Sequence, residues 1–375
     1  MKTLFNSIQV SKNHFIDTIE NMIKNGDEIV LFGAGFIARI TAEFMQRQNM
    51  PIDYVAVNSE HLLPGSEINC HPVTSLEKLE TQGKRYNYIV AIQFYTEELI
   101  ARLRFTANEI LFYDCMFIGI NADEIYTPEW LNAHEPILED FYQNLGDDKS
   151  RRTLTAFLNQ RLSAQEGWFH QEYHPQQYFP QEIIKLGKNE VFVDCGAYTG
   201  DSIDAFVNAL KSSQAGEPSK IIAFEPDVKN FAHLVASTSN LKQCVCLQAG
   251  VWHEATKLYF NSSNEQTSSL TCNSDGDAVS LLTIDEVTAN EKVTFLKMDI
   301  EGAEMAALHG AKKTIRMNKP TLALSIYHKP EDIINIPRFL KSIHPDYKFW
   351  LRAHHPRLSC DMVLYAIPPE KVIAQ

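Results

Sequence analysis

With 375 residues, the chain is long enough for about two domains. Its 45% apolar and 22% charged residues describe an ordinary globular protein with ample core, not a disordered or fibrous one. A net charge of −13 argues against nucleic acid and anionic membrane surfaces as partners, because both need a basic face.

In chain order, the first 120 residues alternate between strand-like and helix-like stretches. "EIVLFGAG" is a buried strand ending in glycines, and "FIARITAEFMQRQ" has helical periodicity. "IDYVAVN" follows as a strand, "TSLEKLETQ" as a short helix opened by a Ser/Thr cap, and "YNYIVAIQ" as a strand. "TEELIARLRFT" is helical again and "EILFYD" extended. Such alternation predicts parallel strands with crossover helices, an α/β domain over 1–120. Residues 121–189 read as a helical linker or lid: "EWLNAHEPILEDFYQNL" and "KSRRTLTAFLNQRLSAQEGW" are helical, and "FHQEYHPQQYFPQ" is aromatic and irregular. A second α/β series fills 190–375, with strands expected at "VFVDC", "KIIAFEP", "QCVCLQAG", "VTFLKMD", "TLALSIYH", "YKFWLRAH" and "CDMVLYAIP". The polar stretch "NSSNEQTSSLTCNSDGD" between the third and fourth reads as a loop.

No apolar run approaches the ~18 residues of a spanning helix. The N-terminal "MKTLFNSIQVSKNHF" lacks the apolar core and cleavage site of a signal peptide. The seven cysteines, at 70, 115, 195, 244, 246, 272 and 360, are odd in number and scattered. Only "CVC" is close-spaced, and alternation along an apolar strand explains it. Reduced, structural thiols and a cytoplasmic location are expected.

The chemistry gathers around two glycine turns. After "VFVDC" come Asp194, Gly196 and Gly200, then the amphipathic "DSIDAFVNAL". A phosphate loop of the Walker type needs Gly-Lys-Ser/Thr, and a dinucleotide fingerprint needs G-x-G-x-x-G. Here an acid leads and the two glycines are four apart. A carboxylate at that place repels pyrophosphate but suits a ligand carrying ammonium and sulfonium cations, such as S-adenosylmethionine. The next strand ends "AFEPD", which puts Glu225 where an acid can accept both ribose hydroxyls. "FLKMDIEGAEMAALHGA" then delivers Asp299 to the same edge, with Gly302 for a close turn. Glu301 and Glu304 stand at the start of a helix, where carboxylates are also ordinary dipole complements.

"VFVDCGAYTGDS", "IIAFEPD", "LLTID", "LKMDIEGAE" and "LALSIYH" together resemble the successive motifs of FkbM-type S-adenosylmethionine-dependent methyltransferases, over about 175–367. The resemblance implies a class I methyltransferase fold, Rossmann-like with a seven-stranded sheet. It also implies methyl transfer, usually to oxygen, in carbohydrate or secondary-metabolite pathways. By that match Asp194, Gly196 and Gly200 face the methionine half of the donor, with Ala197, Tyr198 and Asp201 of the same loop. Glu225 and Pro226 face its ribose, and Asp299 lies beside the reacting centre.

The upstream turn, "GAGFIA", has Gly33 and Gly35 with Ala38 in the third position, but no acid ends the next strand. "DYVAVN" closes on Asn58, and Asp53 precedes the strand. An NAD-dependent oxidoreductase or epimerase using this turn is the rival reading, against which the missing acid argues, and a non-catalytic scaffold or nucleotide-sugar binder is a second one. Among the histidines, His328 after the fifth strand overlooks the edge that carries Asp299 and is the candidate general base. Its neighbour Tyr327 is expected to point the other way. His354 and His355, after the sixth strand, rank lower. Nothing in the spacing demands a metal, although Asp299, Glu301 and His328 could be imagined around magnesium. The aromatics of "QQYFPQ" either cover the donor or pack the core. The expected protein methylates a hydroxyl of a sugar or glycan precursor. Its partner is a small-molecule or glycan acceptor, and a homo-oligomer is left open.

Overall fold

The computed structural model describes residues 3–10, 12–119, 125–261, 269–271 and 277–373. Two compact units emerge. The first comprises Met1–Glu135, Leu154–Glu172 and His355–Ser359, the second Pro136–Thr153, Tyr173–His354 and Cys360–Gln375.

In the first unit, β1 (Ile29–Phe32), β2 (Tyr54–Val57), β3 (Glu67–Ile68), β4 (His71–Ser75), β5 (Tyr86–Val90) and β6 (Ala107–Leu111) form one sheet in the order β3-β4-β2-β1-β5-β6. All pairings are parallel except β3 with β4. That pair is a hairpin whose two turn residues, Asn69 and Cys70, both have positive φ, the twist a two-residue hairpin prefers. The helix Leu76–Glu80 opens on the Ser75 hydroxyl, which accepts from the Lys78 N–H at 3.2 Å. A further helix, His14–Asn25, precedes β1 and buries Phe15, Ile19 and Met22.

The expected helix "EWLNAHEPILEDFYQNL" is two helices, Pro128–Ala133 and Glu135–Gln143. Pro136 explains the break. Proline costs a helix interior a hydrogen bond but is well tolerated in a first turn, so it begins the second helix. A third helix, Asp148–Ser163, comes next.

The second unit holds the seven expected strands. β7 (Val191–Cys195), β8 (Lys220–Phe224) and β9 (Cys244–Leu247) come first in the chain. Next come four short strands, β10 (Gly250–Val251), β11 (Thr256–Asn261), β12 (Ser269–Thr271) and β13 (Asp277–Leu282), in a separate sheet ordered β10-β13-β11-β12. Two of them flank, and one interrupts, the stretch expected to be loop; the rest of that stretch, 262–268 and 272–276, lies outside the described residues. β14 (Phe295–Met298), β15 (Thr321–Ser325), β16 (Lys348–Ala353) and β17 (Met362–Ile367) complete the main sheet, ordered β16-β17-β15-β14-β7-β8-β9. Only β17 runs antiparallel to its neighbours. This is the Rossmann-like sheet of class I methyltransferases, with the central strands β7 and β14 buried from end to end.

An aromatic core of Phe179, Phe192, Phe206 and Phe295 packs under the β7–β14 pair. Among the described residues no helix is long and apolar enough to cross a membrane. The described cysteines are free thiols.

Candidate active site

The strand order sets the geometry. β7 lies between β8 and β14, so the turn after β7 is flanked by the turns that leave those two strands. At the turn, Gly196 has φ +79, and a Cβ there would fall 2.0 Å from the Asp299 carbonyl oxygen. Only glycine lets the two strand ends approach this closely. Gly200, φ +99, begins the helix Asp201–Ser212. Between them Tyr198 is also left-handed, φ +48, and 46% exposed. A non-glycine residue held there marks a backbone fixed by its surroundings.

Glu225, just past β8, ties the flanks together. Its carboxylate accepts the Tyr198 N–H and the Asp227 N–H, each at 2.9 Å. Burial pushes its pKa up to about 7, against the pull of those two amides. A half-ionised acid at the mouth of a glycine turn suits the two hydroxyls of a ribose. These groups are ones that could hold S-adenosylmethionine, the Glu225 carboxylate accepting from ribose hydroxyls beside the 196–200 backbone.

Other predicted residues sit elsewhere. Asp194 is fully buried within β7, and its charge is met by Lys297 at 3.1 Å and by the Ser202 hydroxyl, which donates to Oδ2. Its carboxylate therefore supports the turn from below and does not face the opening. Lys297 stands directly opposite it in the parallel register. The ammonium also donates to the Gly196 carbonyl at 2.6 Å and lies 5.1 Å from the Tyr178 ring centre. Burial works against its charge, but Asp194 and Asp299 prevail and hold its pKa above the ordinary lysine value. Ala197 is buried, its N–H bonded to the Phe224 carbonyl. Asp201 faces a cleft of about 310 Å³ shared with Gln176, Tyr178 and Ser202. Pro226 precedes the Asp227 cap of the helix Val228–Ser237.

Asp299 follows β14. Its Oδ2 accepts from the Tyr178 hydroxyl at 2.7 Å, and its Oδ1 lies 3.5 Å from His328 Nε2. The segment "QQYFPQ" thus does both things considered for it: Phe179 packs the core and Tyr178 reaches the site. Tyr178 is anchored through its backbone, φ +63, by the Tyr365 hydroxyl at 3.0 Å. That hydroxyl meets His354 Nε2 at 2.8 Å, and His354 Nδ1 meets the His174 carbonyl at 2.7 Å. Burial lowers the His354 pKa to about 4, so a neutral imidazole serves as a pillar for Tyr178. His355 accepts backbone N–H groups of Arg357 and Leu358 within the first unit.

His328 is surrounded by acids. Glu304 Oε1 lies 3.0 Å from Nδ1, and Glu301 Oε2 lies 3.5 Å from Nε2. Burial pulls its pKa down, but Glu304, Glu301 and Asp299 drive it up to about 10. In this environment the ring carries a proton at neutral pH. A resting general base must be deprotonated, so the surroundings favour Asp299 or Glu301 for that task, the latter raised to about 7, chiefly by burial. Tyr327 does not point away from its neighbour: the two rings are 4.0 Å apart. β15 ends at Ser325, so strand alternation no longer governs these residues.

The upstream turn is built differently. Gly33, φ +135, lets β1 approach the Ala91 carbonyl, where a Cβ would fall at 2.4 Å. Asn58, where a dinucleotide site would have its acid, accepts from Arg102, which also pairs with Glu77 and Glu80. Asp53 accepts the Ile29 N–H at 2.7 Å, a structural contact ahead of β2.

Residues 194–353 match the methyltransferase FkbM domain. The FkbM domain therefore spans the glycine turn, Glu225, Asp299 and His328. None of the curated proteins matches this chain. A methyltransferase FkbM structure from Methylobacillus flagellatus KT superposes with a TM-score of 0.68 at 22% identity, covering 93% of each chain, and so shares the fold across both units. Fibrillarin from Aeropyrum pernix, solved with natively bound S-adenosyl-L-methionine, has a TM-score of 0.32 at 10% identity, covering 48% of this chain and 67% of its own. A putative rRNA methylase from Clostridium thermocellum scores 0.30 at 13% identity, covering 51% and 90%.

Sequence reasoning missed Lys297, Tyr178 as a partner of Asp299, and Asp332 and Asp361 near His328. For Lys297 a signal existed: a lysine inside the apolar "FLKM", one strand away from an aspartate inside "VFVDC".

Proposed function

We propose that the FkbM domain transfers a methyl group from S-adenosylmethionine to a hydroxyl of a sugar, glycan precursor or related metabolite. One observation carries this reading. The glycine turn after β7 is flanked by a ribose-type acid, Glu225, on the β8 side and by a braced carboxylate, Asp299, on the β14 side. When bound, the donor supplies a methyl group on a sulfonium sulfur. Glu225 and the 196–200 backbone hold and orient it, which is most of what an in-line displacement asks of a protein. Asp299, fixed by the Tyr178 hydroxyl, takes the acceptor's hydroxyl proton as the new C–O bond forms. A rim of carboxylates, Asp299, Glu301 and Asp361, suits a polyhydroxylated acceptor that donates hydrogen bonds. The net charge of −13 argues against a nucleic-acid acceptor.

The test is native mass spectrometry of the purified protein, followed by methyl transfer from labelled donor to a panel of sugars and glycan precursors. Co-purified S-adenosylmethionine or S-adenosylhomocysteine and label on a hydroxyl are expected. Absence of S-adenosylhomocysteine binding at millimolar concentration would overturn the reading.

A further inference from the structure

Asp299, Glu304 and His328 each offer a donor atom, and the three atoms lie within 4.8 Å of one another. Carboxylates alone would say little. Here, however, Asp299 Oδ1, Glu304 Oε2 and both ring nitrogens of His328 are buried without an aligned hydrogen-bond partner. The His328 side chain is 1% exposed and that of Glu304 fully enclosed. Folded proteins seldom leave such atoms unpaired, and a cluster of them around one point asks for something that binds all of them.

Charge points the same way. Five acids, Asp299, Glu301, Glu304, Asp332 and Asp361, act on a single imidazole. Buried like charges need a counter-charge.

We propose that Asp299, Glu304 and His328 form a binding site for one hard divalent cation, Mg²⁺ or Mn²⁺. Two carboxylates suit these hard ions, Mn²⁺ also accepts an imidazole nitrogen, and the cation would take the place of the proton that the metal-free ring carries. Three protein donors leave octahedral positions open for oxygens of a bound hydroxylated molecule. The binding of the ion stands on these residues alone; its use in orienting an acceptor hydroxyl rests on the methyl-transfer reading.

The experiment titrates chelator-stripped full-length protein with Mn²⁺, following free Mn²⁺ by electron paramagnetic resonance without donor. One Mn²⁺ per chain, displaced by excess Mg²⁺, is expected. Glu304→Gln and His328→Gln should each weaken it at least tenfold. Both residues are buried, so a measurement on the parent runs beside the variants: bound Mn²⁺ should broaden the His328 ring resonances selectively. No binding at millimolar Mn²⁺, unchanged binding in both variants, or broadening that spares His328 would overturn the proposal. Calorimetry with S-adenosylhomocysteine on the metal-free protein reads the donor site separately. Donor binding without Mn²⁺ binding sinks the cation alone, and Mn²⁺ binding without donor binding sinks methyl transfer alone.

Discussion

Asp194→Asn tests whether the acid that leads the glycine turn serves the fold or the ligand. The change keeps shape and removes charge. Asp194 and Lys297 face each other at 3.1 Å with side chains 0% and 3% exposed. Without the carboxylate, the buried ammonium keeps the Gly196 carbonyl at 2.6 Å, the Cys195 carbonyl at 3.5 Å, the Tyr178 ring face and the more distant charge of Asp299. Removing one partner of a buried pair costs about 3–5 kcal/mol, because a charge is left uncompensated. In a unit of this size that lowers the melting temperature by roughly 6–20 °C. Replacing both charges removes the orphan, so Asp194→Asn with Lys297→Met should recover at least half of the loss, a coupling of about 2 kcal/mol or more. Differential scanning calorimetry on donor-free protein reads these two variants and Lys297→Met alone, which closes the cycle. If Asp194→Asn melts within about 2 °C of the parent yet loses affinity for S-adenosylhomocysteine, the carboxylate faces the ligand and the reasoning fails.

Three further outcomes are expected. Burial pushes the Glu225 pKa up to about 7, and ribose hydroxyls are held best by its carboxylate, so donor affinity should fall by about tenfold in all as pH drops below that value. Glu225→Gln should bind about tenfold more weakly at pH 8 and lose the pH dependence; a calorimetric profile that keeps its slope would remove Glu225 from the donor site. Gly196→Ala should destabilise by about 2–5 kcal/mol in urea unfolding, since its Cβ would fall 2.0 Å from the Asp299 carbonyl in a left-handed residue. Asp299→Asn should lower turnover by on the order of a hundredfold or more while donor affinity stays within a few-fold, and a variant that turns over like the parent would leave proton removal to Glu301 or to solvent.

The main sheet was legible because its strands announce themselves. "VFVDC", "KIIAF", "FLKM" and "TLALS" are apolar runs bounded by turn residues, and parallel strands buried on both faces read that way. The second sheet, β10 to β13, was not legible. β10 and β12 have only 2 and 3 residues, and polar residues such as Lys257 in β11 and Ser280 in β13 break the apolar pattern. The β3–β4 hairpin hid for a similar reason. Its turn uses Asn69 and Cys70, and cysteine is no hairpin signal, although Asn before a left-handed residue is one.

The candidate site divides along the same physical line. Glu225 and Asp299 could be placed at neighbouring strand ends from the chain alone, because strand position fixes where they lie. Residues whose role is set by their surroundings could not be read that way. His328 looked like a free base because the sequence shows one histidine after one strand. The acids that act on it come from the β14 turn, from the helix Asp332–Ile343 and from the start of β17. For Asp194, strand position predicts where its Cα lies, not that its carboxylate meets Lys297 across the register. In both cases the deciding quantity is the opposite charge that meets the group in a desolvated site. A buried charge takes its role from the nearest opposite charge, and which charges are nearest is a property of the fold. The same logic explains why the excess of acid around His328 carries information: water would dissolve such a cluster's cost on the surface, but inside the sheet edge it needs protons or a cation.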